Sequence, residues 1–462
     1  MSWLSAHLLI ILGWLLAVPA VLHMLSQRRT PQSVWAWLIL MFAFPWVGVP
    51  LYLVLGGRKM QQLMNSKSDL VFDDRQCSAG LENEVHAVLC SLGIPAAWQG
   101  NRIRLHLDGT EAFEQLLELL DGAQRSIWYS TFIFADDETG CAVLQRLTAK
   151  ARSGVDVRLL LDGVGCLHTS KTFVAPLVRA GGHVAWFMPV LHRPFRGRSN
   201  LRNHRKHVIV DGNGVWAGGR NTAVEYMGSG NRPQEWTDLS FSLIGPAGRV
   251  FSQVFQSDWY FATGQESPPW VPPNVGSQGT EGIDDAQVVQ LIPAGPDVPN
   301  DALLSGLLTA AFAADRRIWL VSPYFVPPDS LIDALCLAAR RGVDVRLVVP
   351  QRSNHLLADW ARGPHLRALK EAGGTIHAYP RMIHAKTAVF DSSIALVGSA
   401  NMDERSLLLN YELMLAIYSA TGIATVADWI NSQVEECEAW EPRHGRTRAM
   451  AEAFAETMSP LL

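Results

Sequence analysis

Acidic residues are missing from the start of this chain. The first is Asp69, and residues 1–57 carry only two charges, Arg28 and Arg29. A segment so short of charge is a poor candidate for the solvated surface of a globular domain. Charge is sparse throughout: 18% of the 462 residues are charged and 48% are hydrophobic, which excludes a disordered chain. There is no basic excess either. The 39 Lys and Arg stand against 43 Asp and Glu, a net charge of −4, and beyond residue 57 the balance is 37 to 43, or −6. That sign argues against a generic nucleic-acid binder, so no nucleic-acid partner is expected. The six cysteines form no C-x-x-C pair, which excludes a zinc ribbon and disfavours a disulfide framework. Scattered inert thiols suit a reducing compartment.

What the N-terminus does have is two long apolar runs. In residues 3–25 only His7 and His23 are ionisable, and residues 34–55 carry no charge. A bilayer core takes about 20 apolar residues per helix, so each run is long enough to span it, giving a transmembrane hairpin over residues 1–57. Trp3, Trp14, Trp35, Trp37 and Trp46 include candidates for interfacial anchors, and Pro45, Gly48 and Pro50 should bend the second helix. A cleaved signal peptide would want a basic n-region, and no Lys or Arg precedes Arg28. In a two-span hairpin the remainder of the chain shares a side with the N-terminus. Arg58, Lys59 and Lys67 then outnumber Arg28 and Arg29, a lean toward a cytoplasmic main domain at an inner membrane.

The remainder repeats itself. R-S-I-W at 125–128 and R-R-I-W at 316–319 are each followed by a helical stretch and then by G-V-D-V-R, at 154–158 and 342–346. R-A-G-G at 179–182 matches E-A-G-G at 371–374. Each copy alternates short β-branched runs with apolar-periodic segments, which predicts an α/β fold of two pseudo-twofold-related lobes with central mixed sheets. Residues 58–100 read as a linker, 101–262 as the first lobe, 263–282 (rich in Pro, Gly and Ser) as an inter-lobe linker, and 283–462 as the second lobe.

The copies agree most closely where the chemistry lies. His204, Lys206, Asp211 and Asn221 are matched by His384, Lys386, Asp391 and Asn401, with identical spacings of two, seven and seventeen residues from each histidine. On a strand, a spacing of two puts imidazole and ammonium on one face, while the aspartates at the strand ends point the other way. A lone histidine is usually structural, but duplicated spacing is not coincidence. Two His, two Lys and two Asn meeting across a pseudo-twofold make a cationic pocket for a tetrahedral phosphoryl group. One imidazole is free to attack and the other to move protons. No cofactor is called for, and no acidic cluster suggests a metal.

This constellation resembles the phospholipase D superfamily, whose H-x-K-x4-D motif it contains twice. P-W-V-G-V-P-L-Y at 45–52, N-H-R-K at 203–206, P-Y-F-V-P at 323–327 and G-S-A-N-M-D-E-R-S at 398–406 make the whole chain similar to the bacterial cardiolipin synthases of that superfamily. The resemblance implies a phosphatidyltransferase that joins two phosphatidylglycerols into cardiolipin through a phosphohistidine. The alternatives are a phospholipase D or headgroup-exchange enzyme, or a membrane-anchored phosphodiesterase or nuclease. It further implies His204 as nucleophile and His384 as general acid and base, with Lys206, Lys386, Asn221 and Asn401 on the phosphoryl oxygens. Asp238 and Glu412 would orient the histidines of the opposite half, and Asp211 and Asp391, although motif residues, would brace strand and turn. His207 and Arg220 depart from the usual pattern.

The halves differ in one place. Phe187 to His204 is 17 positions, whereas the equivalent Tyr379 to His384 is 5. The 12 extra residues bring Arg193, Arg196, Arg198 and Arg202, and residues 163–210 hold eight Lys or Arg and no acid. The sharper reading of this stretch is a lid on anionic membrane lipids, with Phe187, Phe195 and Leu201 dipping toward the acyl region. The blander one is a solvated basic loop.

Overall fold

The computed structural model describes residues 3–25, 31–55, 67–72, 81–189, 201–228, 235–268, 286–442 and 445–457. The chain divides into two compact units, one holding Met1–Lys67 and the other Ser68–Pro189 with Arg202–Pro460.

In the first unit, helix α1 runs Trp3–Leu25, but the second apolar run is not one bent helix. It forms α2 (Pro31–Ala43) and α3 (Pro45–Leu55), of 13 and 11 residues, separated at Phe44. Proline at the first position of α3 has no N–H to continue the ladder of α2, so the chain turns there. It turns fully back. The Trp37 and Tyr52 rings, 15 positions apart, meet at 5.4 Å, and a Cβ on Gly48 would stand 2.6 Å from the Leu40 carbonyl oxygen. Only glycine admits that approach. α1 lies alongside: a Cβ on Gly13 would meet Pro45 at 2.8 Å, and His23 Nδ1 is 2.9 Å from the Tyr52 hydroxyl. Among the described residues, whose side chains in α1 begin at Ile11, no helix is long and apolar enough to cross a membrane.

The second unit is built on one mixed sheet of 15 strands. Its first half comprises β1 (Trp98–His106), β2 (Ser126–Thr131), β3 (Asp156–Asp162), β4 (His183–Phe187), β5 (His207–Val210), β6 (Gly214–Gly218) and β7 (Ser240–Ile244). The second half comprises β8 (Gln287–Ala294), β9 (Arg317–Val321), the two-residue β10 (Phe325–Val326), β11 (Asp344–Pro350), β12 (Thr375–Tyr379), β13 (Thr387–Phe390), β14 (Ile394–Gly398), β15 (Met402–Asp403), β16 (Glu412–Ile417) and β17 (Glu438–Ala439). The order β17-β12-β11-β9-β13-β14-β16-β8-β1-β7-β6-β5-β2-β3-β4 reads alike from both ends toward the antiparallel β8–β1 seam, β17 excepted. β10 and β15 pair separately.

The repeated tetrapeptides have a structural cause. The indole N–H of Trp128 donates to Asp156 and that of Trp319 to Asp344, at 3.2 and 3.0 Å, tying each R-x-I-W strand to the V-D-V-R strand beside it. Gly154 and Gly342 hold φ of +91° and +90° at the turn between helix and strand, where a side chain would be strained.

Two backbone exchanges join the halves near their motifs. Tyr411 N–H donates to Arg202 O and His204 N–H to Tyr411 O, both at 2.9 Å, while Thr237 N–H donates to Met382 O at 3.0 Å and His384 N–H to Thr237 O at 2.6 Å. Between them lies Arg205, fully buried, which donates to Asp258 Oδ1 at 2.7 Å from the helix Gly248–Thr263 and to Asp297 Oδ1 at 2.9 Å from the loop after β8. Removing one partner of such a buried cluster strands the other charges in low dielectric, at a cost of about 3–5 kcal/mol. Arg205→Ala should therefore lower the unfolding free energy by about that much, measured by denaturant titration, whereas an exposed arginine such as Arg102 should change it by less than about 0.5 kcal/mol.

Candidate active site

The two H-x-K segments do not lie within strands. Each occupies extended chain just ahead of β5 or β13, because its backbone is taken up by the opposite half rather than by the sheet. The exchange decides which side chains meet. Tyr411 precedes Glu412 and Thr237 precedes Asp238, so each histidine arrives beside the other half's carboxylate. His204 Nδ1 lies 2.9 and 3.0 Å from the two Glu412 oxygens, and His384 Nδ1 lies 2.7 Å from Asp238 Oδ2. All four groups are buried. A carboxylate at Nδ1 fixes the proton there and leaves the lone pair on Nε2.

The lysines follow their histidines closely. Lys206 donates to the His204 carbonyl at 2.7 Å and sits 5.4 Å from the Phe132 ring centre. Lys386 donates to the His384 carbonyl and lies against its ring, 2.7 Å from Nδ1 and 3.0 Å from Nε2. For His204 Nε2 no hydrogen-bond partner is present among the described residues. Asn221 and Asn401 are buried; Asn221 accepts from Ile133 N–H at 3.2 Å, and Asn401 Oδ1 has no partner among the described residues.

Burial governs the titration of this cluster. It pushes His204 down to about 4 and His384 to about 3, against the upward pull of Glu412 and Asp238. It also brings Lys206 to about 7 and Lys386 to about 8. Asp238 is held at about 2 by the Lys386 and His384 charges, which outweigh its own burial. The empty pocket therefore holds neutral imidazoles, ionised carboxylates and ammonium groups that lose their protons readily.

Asp211 and Asp391 stand apart from this cluster. Each sits in a turn at φ near +50° and accepts three backbone N–H bonds, from Gln124, Arg125 and Ser126 in one half and from Asp315, Arg316 and Arg317 in the other. They clamp the far ends of β5 and β13 to the starts of β2 and β9. Arg202 is buried, donates to the Met188 carbonyl at 3.0 Å and lies 3.8 Å from Asp162. Phe187 is buried against Phe261 and Tyr411, and Leu201 is buried too. Arg193, Arg196, Arg198 and Phe195 lie outside the described residues.

Several residues of the site were not singled out from sequence. Phe132 packs edge-on to His204 at 4.8 Å, and Tyr226 and Trp236 flank His384 at 5.0 and 5.4 Å. Trp236 stands two residues before Asp238 in E-W-T-D, and that spacing was the available signal. Ser399 donates to Glu412, adding a second donor to the carboxylate that holds His204. Of the two departures, His207 is buried between Phe251 and Phe255, and burial keeps it neutral by lowering it to about 4. Arg220 is closer to the chemistry: it donates to the Tyr226 and His106 carbonyls at 3.1 Å, and its charge helps hold Asp238 ionised.

The pH profile follows. Because kcat/KM reports groups of the free protein, it should be flat from about pH 4, where His204 gains a proton and loses its lone pair, to about pH 7. Above that, Lys206 at about 7 and then Lys386 at about 8 lose their positive charge, and kcat/KM should fall. Lys206→Arg keeps its charge and should shift the basic limb upward, read from kcat/KM between pH 5 and 10; a profile flat to pH 10 would contradict these assignments.

The site matches known proteins over both halves. Residues 116–234 and 307–436 fit the family model described as cardiolipin synthase, PLD-like domain, and residues 15–57 fit the phospholipase D-nuclease N-terminal family. The major cardiolipin synthase ClsA of Bacillus subtilis is 32% identical over 87% of each chain. Cardiolipin synthase 1 of Bacillus anthracis is 29% identical over 100% of this chain and 95% of its own. Among solved structures, phosphatidylserine synthase of Haemophilus influenzae shares the fold at a TM-score of 0.62 and 15% identity, covering 82% of this chain and all of that one. The chain belongs to the phospholipase D-like cardiolipin synthase family.

Proposed function

We propose that the chain transfers a phosphatidyl group from one phosphatidylglycerol to the hydroxyl of another, giving cardiolipin and glycerol, with His204 as the nucleophile. The observation that carries the assignment is the unequal approach of the two lysines. Lys386 lies against the His384 ring, 2.7 Å from Nδ1 and 3.0 Å from Nε2, whereas among the described residues no lysine hydrogen-bonds either ring nitrogen of His204. The His204 lone pair attacks phosphorus, and the bond from phosphorus to the glycerol oxygen breaks as His384 protonates it. The phosphate anion, on entering, raises the proton affinity of His384 enough for it to carry that proton. Lys206, Lys386, Asn221 and Asn401 bind the phosphoryl oxygens. His384, now neutral, takes the proton from the incoming glycerol hydroxyl, whose oxygen displaces His204 from phosphorus.

Incubating the purified protein with phosphatidylglycerol alone and following lipids by mass spectrometry tests the reading: cardiolipin and glycerol support it, and phosphatidic acid in their place replaces it with a phospholipase D. The two histidines separate by adduct. His384→Ala should accumulate phosphatidyl label on His204, most readily from a p-nitrophenyl phosphodiester whose leaving group needs no proton. Its deficit with the natural donor should be about 10²–10⁴-fold. Label on His384 in a His204→Ala protein would reverse the roles.

We also propose that the first unit is a membrane anchor of one span plus a re-entrant hairpin. Support comes from the sequence of α1, whose 23 residues, about 35 Å of helix, carry no Lys, Arg, Asp or Glu, although its side chains are described only from Ile11 on. It comes also from α2 and α3, which fold back after about 20 and 17 Å, well short of a core of about 30 Å. In this arrangement Arg28, Arg29, Arg58, Lys59 and Lys67 share one side, which places them and the catalytic unit in the cytoplasm. In intact bacteria a membrane-impermeant maleimide should then label Ser2→Cys and spare Ser66→Cys; a two-span hairpin would treat both alike.

A further inference from the structure

Two loops occupy equivalent places in the repeat. Residues 163–170 follow β3, and residues 351–355 follow β11 and lead into the helix Leu356–Glu371. Each rests on an aromatic residue of the site. In the first half a Cβ on Gly165 would stand 2.0 Å from the Phe132 carbonyl oxygen, to which Cys166 Sγ donates at 3.2 Å, and the Phe132 ring packs on His204. In the second half the Tyr324 hydroxyl donates to Asn354 at 2.5 Å and its ring meets His355 at 5.4 Å. Tyr324 is in turn an electrostatic neighbour of Tyr226, whose ring packs on His384. The loops therefore border the two catalytic histidines from opposite halves.

Both, the second together with the first turn of the helix that follows it, present apolar side chains to solvent in matching measure. Val164 and Leu167 are 42% and 63% exposed, and Leu357 and Leu356 are 42% and 62% exposed. An exposed leucine on its own means little, but a matched pair on each side of one site is not scatter. The exposed charge around them is basic: Lys171 and Arg352 are exposed, while the flanking Asp162 and Asp359 are paired inward with Arg202 and Arg362. Apolar side chains backed by exposed cations fit the headgroup and upper acyl region of an anionic bilayer.

We propose that these two loops form a rim that inserts into an anionic lipid surface around the mouth of the site. The phosphodiester can then pass to His204 and His384 while its acyl chains stay out of water. The proposal rests on the phosphatidyltransferase reading above, and it replaces the buried Phe187 and Leu201 with a different set of lipid-facing residues.

The test compares two substrates on the full chain: phosphatidylglycerol in nanodiscs, and dihexanoyl-phosphatidylglycerol below its critical micelle concentration. Leu167→Asp combined with Leu356→Asp should lower turnover in nanodiscs by about tenfold or more while changing turnover of the monomeric lipid by less than about twofold. Leu167→Phe with Leu356→Phe should keep nanodisc turnover. Equal activity of the aspartate variant on both substrates overturns the proposal, as does an equal loss on both. Conversion of a wild-type dimer to monomer by that variant also overturns it, making the rim a protein contact. Failure of the wild type to make any cardiolipin would instead fell the reading of the function.

Discussion

Everything at the site depends on two backbone exchanges between the halves, Arg202–Tyr411–His204 and Met382–Thr237–His384. Each uses the residue just before a carboxylate to hold the residues around a histidine, so the side chains that follow are delivered in cross-paired order. Neither half can assemble a working imidazole alone, since its histidine would lack an orienting acid and its acid would be a buried charge with no partner. Arg205 reinforces the arrangement. Placed between His204 and Lys206 in sequence, it spends its guanidinium on Asp258 of one half and Asp297 of the other. Any separation of the halves breaks this buried ion cluster, so the geometry of the pocket and the stability of the fold are coupled.

Burial then sets the chemistry. Taken out of water, the imidazoles prefer to be neutral and the ammoniums are close to losing their protons, while Glu412 and Asp238 stay ionised through their cationic neighbours. An anion placed beside them would stabilise both ammoniums and raise the proton affinity of the imidazoles. The same low dielectric strengthens each contact to the developing charge on phosphorus and disfavours stray water as the acceptor.

Much of this was legible in the sequence because duplication prints itself as spacing. The equal intervals of two and seventeen residues from each histidine named six of the groups in advance, and the resemblance to the superfamily supplied the orienting acids Asp238 and Glu412. What escaped was set by distance in the chain or by shape. Phe132 and Tyr226 lie in segments with no motif of their own. The partners of Arg205 are 53 and 92 residues away, and that of Arg202 is 40 residues away at Asp162, so burial of these arginines left no local trace. Hydropathy measured the second apolar run correctly but was blind to its fold-back at Phe44, because a long helix and two short antiparallel ones have the same composition.

The halves are equivalent in backbone and unequal in detail. Glu412 is the longer acid and receives a hydroxyl from Ser399. Asp238 is shorter, and its counterpart neighbour is Gly219, where a Cβ would fall 2.2 Å from Asp238 Oδ1. The carboxylate of the first half thus occupies the volume that a side chain fills in the second, and Arg220 lends it positive charge from behind. Arg220 adds to the ionic support of Asp238 and Ser399 shares the charge of Glu412, yet burial lowers both imidazoles, His384 to about 3 and His204 to about 4. Duplication supplied the symmetric frame, and positions 219 and 399 are where the surroundings of its two carboxylates part.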